Sequence, residues 1–245
     1  MDDSQKLKYK LHFEQAVKEG IARDKRNPIW DYEDILLDGP IIDIGCGQSE
    51  ILLGFAVTDR TLIAFDAEPL QLQWLEQLAQ LQLGVNLKNW HFLTGYFPDT
   101  PLPAHQYALI CFSNLLHFLP LEACMAAVVG LTPYMKEGTQ IYIRVHSDNH
   151  PQNKDKNQDE RYSFFKHYFT TQDIAHLFPS HEYEWLYVTE LNSIYNKEDK
   201  DFIALWVKEW CHQNGIFDTE SVEQAIKDQL ADGYHNHITA LVRKR

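Results

Sequence analysis

Between residues 40 and 145, five short apolar runs rich in β-branched and aromatic residues alternate with longer segments of helical spacing. The runs are PIIDI (40–44), TLIAFD (61–66), NWHFLT (89–94), YALICF (107–112) and TQIYIRV (139–145), and the helical segments span 48–57, 69–83 and 120–132. A run that is apolar at nearly every position suits a strand buried on both faces. Helices between such strands carry the chain back so that the next strand starts in parallel. The pattern predicts an α/β fold, a mostly parallel sheet with helices on both faces. Two further runs, EYEWLYVT (182–189) and HNHITALVRK (235–244), bring the expected number of strands to seven.

The 245 residues contain no internal repeat, and their 44% hydrophobic content is ample for one buried core. We expect a single domain: a helical cap over 1–38 that includes a helix at 4–19 and a short helical piece around 30–37, a half over 40–145, and a second half over 146–245 with a helical insertion at about 197–232. The stretch 108–131 carries a single charge and is long enough to span a bilayer. Pro120 would break such a helix near its centre, and Ser113, Asn114, His117 and Glu122 interrupt it, so a strand, a turn and a helix are expected and no membrane span. A net charge of −13 repels nucleic acid and anionic membranes. The four cysteines include no CxxC pair, and with no apolar signal segment in MDDSQKLKYK they point to a reducing, cytoplasmic setting.

The segment PIIDIGCGQSE (40–50) places Gly45 and Gly47 where the first strand turns into a helix. Bare glycine permits positive φ and the close approach of a ligand, and the following helix presents free N–H groups. Asp66, ending the second strand twenty-one residues after Gly45, can accept hydrogen bonds from a ribose diol. Dinucleotide loops need a third glycine beside the pyrophosphate, and here that position is Glu50. Glu50 and Asp43 would oppose two phosphates, whereas they tolerate a phosphate-free cationic nucleoside such as S-adenosylmethionine.

These residues resemble the class I S-adenosylmethionine-dependent methyltransferases over residues 40–145. DIGCGQS is similar to their first motif, an acid followed by GxGxG, with Ser49 at the third glycine; AFDAEP matches their acid after the second strand, and YALICFSNLLHFL is similar to their fourth strand and turn. The resemblance implies a Rossmann-like methyltransferase fold with an antiparallel last strand, and S-adenosylmethionine as cofactor. It implies that Asp43, Gly45, Cys46 and Gly47 lie at the methionine end, that Asp66 takes the ribose hydroxyls beside Ala67, and that Ser113 offers backbone to the amino group. Two positions depart from the pattern. Tyr96 stands where the family often has the aspartate that bonds adenine, so adenine is expected against Gly95 and Tyr96; Ala108 stands where an aspartate usually begins the fourth strand. A binding protein that keeps the fold with a decayed donor site is therefore a rival reading. An NAD-type oxidoreductase is another, opposed by Glu50.

Methyl transfer from a sulfonium is an in-line displacement that needs alignment, and a base only where the acceptor must lose a proton. Ligands of open α/β sheets bind beyond the carboxyl ends of the strands, a position that collects His117 after the fourth strand and Arg144, His146 and His150 at and after the fifth. His146 and His117 are the candidate catalytic residues, with a backbone-bonding role for His117 at the helix start as the alternative. Twelve histidines raise the possibility of a metal, but no HExxH pattern or Cys/His cluster of defined spacing occurs, and none is expected. The aromatics Tyr162, Phe164, Phe165, Tyr168 and Phe169, with Tyr9 and Phe13, read either as a lid over a hydrophobic or planar small-molecule acceptor or as core. Trp206 and Trp210 on the late helices could serve a homodimer interface.

Overall fold

In the computed structural model, the described residues are 27–56, 58–83, 87–153, 165–194, 200–201, 204, 207–208, 211–212, 215–230 and 234–245. The expected helix at 4–19 with Tyr9 and Phe13, together with Tyr162, Phe164, Trp206 and Trp210, lies outside them. The strands are β1 (Ile41–Ile44), β2 (Leu62–Asp66), β3 (Trp90–Thr94), β4 (Leu109–Ser113), β5 (Gln140–His146), β6 (Tyr183–Ile194) and β7 (Tyr234–Lys244). The helices include α1 (Glu50–Phe55), α2 (Pro69–Leu83), α3 (Leu121–Gly130), α4 (Thr171–Leu177) and α5 (Thr219–Leu230). The helical piece expected around 30–37 is a 3-10 helix, Pro28–Ile35, started by the Asn27 side chain, which accepts from the Ile29 N–H at 3.0 Å.

All seven strands form one sheet in the order β3-β2-β1-β4-β5-β7-β6. The first five run parallel, and β7 is antiparallel to both of its neighbours. The last strand in sequence is therefore interior, while β6 lies at the edge. Pairing from Tyr183↔Lys244 to Ile194↔Tyr234 extends β6 beyond the expected 182–189, because β7 offers a partner along its whole length.

Alternate residues of each strand feed opposite faces, as the two-residue strand period requires. Ile42, Ile44, Ile63, Phe65, Ile110 and Phe112 pack beneath α3 and α4 through Cys124, Val128, Ile174 and Leu177. Ile41, Leu62, Ala64, Leu109 and Cys111 pack beneath α1 and α2 through Leu52, Phe55, Leu72, Leu75 and Leu78. Among the described residues, no helix is long and apolar enough to cross a membrane. The apolar stretch 108–131 is β4, a 3-10 turn at Leu116–Phe118, and α3 with Pro120 as its N-cap.

Strand order reverses between β1 and β4, both of which pair with parallel neighbours on opposite sides. In open α/β sheets the connections at such a reversal leave in opposite directions, and ligands bind beyond the carboxyl ends of the strands there.

Candidate active site at the carboxyl edge of the sheet

The loop between β1 and α1 hangs from the end of β2. Gly45 N–H and Cys46 N–H both donate to the Phe65 carbonyl, at 2.8 and 3.2 Å, and Gly47 N–H donates to Asp66 Oδ2 at 2.9 Å. The other Asp66 oxygen accepts from Glu68 N–H at 2.9 Å, so the carboxylate is oriented with lone pairs left on each oxygen. Burial pushes its pKa up, against the lowering effect of these backbone bonds.

The two glycines have different reasons to be glycine. Gly45 has φ of +68°, and a Cβ there would lie 2.8 Å from Leu115 Cδ1, so the position is closed by packing. Gly47 has φ of +51°, and among the described residues a Cβ would meet only the Gln71 amide oxygen, at 3.8 Å. The open side of the loop is therefore at Gly47. Cys46 is buried with its thiol on the Gly47 carbonyl at 3.6 Å, and burial holds its pKa well up, which makes it a small apolar filler.

Asp43 lies beneath this loop, fully buried. Ser49 Oγ donates to Asp43 Oδ2 at 2.5 Å and accepts from Leu52 N–H at 3.0 Å, so the residue at the family's third glycine is the N-cap of α1. Among the described residues, Asp43 Oδ1 has no hydrogen-bond partner. Burial raises the Asp43 pKa to about 7; the Ser49 bond lowers it and the charge of Asp66 adds to the rise. Glu50, the first residue of α1, is exposed. Ala67 follows Asp66 into α2 and is half-buried.

Beyond β3, Gly95 N–H donates to the Asp66 carbonyl at 3.0 Å, and a Cβ on Gly95 would fall 2.5 Å from Phe65. Gly95 thus lets the β3 turn close against β2. Tyr96, held by a bond from its N–H to Thr100 Oγ1 (3.0 Å), is 68% exposed. Ser113 ends β4, half-buried, and Asn114 follows with φ of +61°, donating from its N–H to the Arg144 carbonyl at 2.8 Å. The sequence reading missed Asn114. Its signal was an Asn directly after an apolar run, since Asn tolerates the left-handed region better than other non-glycine residues, and strained backbone gathers at functional sites. Ala108 is fully buried at the start of the β4 region, far from the carboxyl edge, where its N–H serves the Pro40 carbonyl at 2.8 Å.

His117, His146, His150 and His237 come together as four buried imidazoles. His146 is sandwiched: its ring stacks on His117 at 3.9 Å and on His150 at 4.2 Å, with His237, its register partner on β7, edge-on at 5.1 Å. The His146 backbone N–H donates to His117 Nδ1 at 3.2 Å, which fixes His117 with that nitrogen as acceptor. Phe165 meets His117 and His146 edge-on at 5.0 and 4.5 Å, and its chain is tied down by Lys166 N–H to the His117 carbonyl at 2.9 Å. Phe169, by contrast, is fully buried core rather than lid. Beside the cluster, Ser147 Oγ and Asn149 Nδ2 donate to Glu190 Oε1 at 2.5 and 2.8 Å; these bonds hold the Glu190 carboxyl below its ordinary pKa, the Ser147 bond foremost. Stacked rings direct their lone pairs side by side rather than at one point, and among the described residues no group of three ligands could hold a metal ion.

A hollow of about 450 Å³ lined by Asp38, Gly39, Thr58, Asp59, Arg60 and Thr61 lies at the opposite, amino edge. Arg60 Nη1 is occupied there by the carbonyls of Leu37 (2.6 Å) and Gly39 (3.3 Å), which makes this a brace between loops.

Residues 41–138 match the family described as methyltransferase domain. Over these residues the chain is similar to a methyltransferase domain. Its fold is the Rossmann-like fold of solved S-adenosylmethionine-dependent methyltransferases. A SAM-dependent methyltransferase from Geobacter sulfurreducens, solved with S-adenosyl-L-homocysteine, superposes with a TM-score of 0.59 at 12% identity, covering 96% of this chain and 98% of that one. A SAM-dependent methyltransferase from Methanosarcina mazei gives 0.57 at 15% identity over 87% and 96%. Geranyl diphosphate C-methyltransferase from Streptomyces coelicolor, solved with Mg2+, geranyl-S-thiolodiphosphate and S-adenosyl-L-homocysteine, gives 0.53 at 10% identity over 88% and 74%. No curated protein matches the chain in sequence. The methyltransferase domain of the family match ends just before β5, so the histidine cluster is supplied mainly by the part of the chain beyond it.

Proposed function

We propose that this chain is a methyltransferase that transfers a methyl group from S-adenosylmethionine to an oxygen, nitrogen or carbon of a small-molecule acceptor. The observation that carries the reading is the coupling of the loop to Asp66: Gly47 N–H holds the carboxylate at 2.9 Å beside the one glycine of the loop whose Cβ direction is nearly open. Such a site fits a ribose, with the cationic end of the donor over Gly47 and above the buried charge of Asp43. S-adenosylmethionine supplies an electrophilic methyl on a good leaving group. Gly45, Cys46, Gly47 and Ser113 would surround the methionyl end, Asp66 and Ala67 the ribose, and Gly95 and Tyr96 the adenine.

On the acceptor side, His146 is proposed as the residue that takes a proton, and His117 as a positioning residue, since its Nδ1 is engaged by the His146 backbone. Phe165 and Tyr168, packed on these rings, would exclude water from the reacting atoms. The net charge of −13 disfavours a nucleic-acid acceptor. Four cysteines that are all free and buried support a reducing, cytoplasmic setting.

Calorimetric titration with S-adenosylmethionine, S-adenosylhomocysteine and NAD tests the reading. Binding of both sulfur ligands, lost in Asp66→Ala by about 100-fold or more, is expected. Binding of NAD alone would overturn it, and no binding at all would favour a protein that keeps only the fold. His146→Ala is expected to leave S-adenosylhomocysteine affinity within about threefold, because the cluster lies on the acceptor side.

A further inference from the structure

The buried face of α2 contains one residue that does not belong there on packing grounds. Leu72, Leu75, Leu78 and Ala79 form its inward stripe, and Gln71 shares that stripe at 3% exposure. Among the described residues, neither the oxygen nor the nitrogen of the Gln71 carboxamide has a hydrogen-bond partner. A buried amide left unpaired is destabilising, and a leucine or methionine would fill the same stripe without that cost. Native proteins retain such groups where a ligand completes them.

The position of the amide indicates which ligand. Among the described residues other than its chain neighbours, Gln71 Oε1 is the one heavy atom within 4 Å of the place a Cβ on Gly47 would occupy, so the carboxamide borders the open side of the loop. Across the same glycine, Gly47 N–H is bonded to Asp66 Oδ2. An amide and a carboxylate therefore flank one small space at the start of α2. A carboxylate only accepts, whereas an amide both donates and accepts, and its two ends exchange by a half-turn about the last torsion. A vicinal diol matches this pair: each hydroxyl can donate to Asp66 and still accept from the Gln71 NH2.

We infer that Gln71 is a further donor-binding residue of this site, its carboxamide completing, with Asp66, the recognition of the ribose hydroxyls. The inference rests on the proposed S-adenosylmethionine reading and names a residue to which neither the glycine motif nor the acid after β2 points. It makes the carboxamide unsatisfied in the ligand-free protein and satisfied in the complex.

Gln71→Met, which keeps volume and removes both polar atoms, tests it with two readouts. The ligand-free variant should melt at a higher temperature than wild type. Its affinity for S-adenosylhomocysteine should be about tenfold weaker, and the penalty for the 2′-deoxy or 3′-deoxy analogue should shrink relative to wild type, as a coupled pair requires. Unchanged affinity with unchanged discrimination against the deoxy analogues would overturn the role of Gln71 while leaving the donor site standing. A lower melting temperature in the ligand-free variant would also overturn it, by showing the amide to be a structural bond. Failure of the wild-type protein to bind S-adenosylhomocysteine would overturn both this inference and the function on which it rests.

Discussion

The two glycines of the first loop predict different failures when each gains a methyl group. Gly45→Ala places Cβ 2.8 Å from Leu115 at φ of +68°, so we expect a loss of about 2–3 kcal/mol in denaturant unfolding. Gly47→Ala carries the strain of φ +51° without the clash, about 1 kcal/mol, and should instead weaken donor binding because the methyl enters the open space. Asp43 gives a pH dependence whose sign follows from its raised pKa. With a value of about 7 in the folded chain against an ordinary 3.8, its protonated form is favoured by folding. The associated stability is fully present below about pH 4 and is lost as pH rises through about 7. Asp43→Asn should therefore flatten the fall in melting temperature between pH 5 and 8, measured as the difference from wild type; Asp66, also raised, leaves part of the slope. A cationic donor held above Asp43 favours its ionised form, so affinity for S-adenosylmethionine should rise with pH over the same window.

At the scale of elements, the sequence patterns that proved legible were those with local causes. YFTTQDIAHLF restarts a helix in the sequence, with Thr170 or Thr171 as its N-cap and Asp173 in the first turn. In the structure Thr170 and Asp173 form a capping box, each side chain bonded to the other's backbone, from which α4 starts at Thr171. Burial pushes the Asp173 carboxyl up, and the bonds from Thr170 and His167 outweigh it to leave the group below its ordinary value. Thr170→Ala should cost about 1 kcal/mol in unfolding and loosen the segment that carries Phe165 and Tyr168, readable as faster amide exchange over 165–170. The 3-10 form of Pro28–Ile35 was less legible, since Pro28 and Asn27 mark a helical start but say nothing of how tightly the turns wind.

For the whole molecule, the order β5-β7-β6 makes the last strand an interior one. A chain ending before residue 234 would leave β5 and β6 with unpaired edges, so we expect it to be insoluble or to lose cooperative unfolding by circular dichroism. By itself, the sequence determined the strand–helix alternation, the parallel half, the glycine loop and the acid at Asp66, because each follows from residue types a few positions apart. Only the tertiary structure decided that Gly45 is closed by Leu115, that Gln71 borders Gly47, and that His117, His146, His150 and His237 stack in one place. Those facts depend on sheet order and on the packing of loops and helices against it, which set residues 24 to 91 apart in sequence side by side. No local pattern encodes a neighbour that distant; it is fixed when the apolar faces of the whole sheet are buried together.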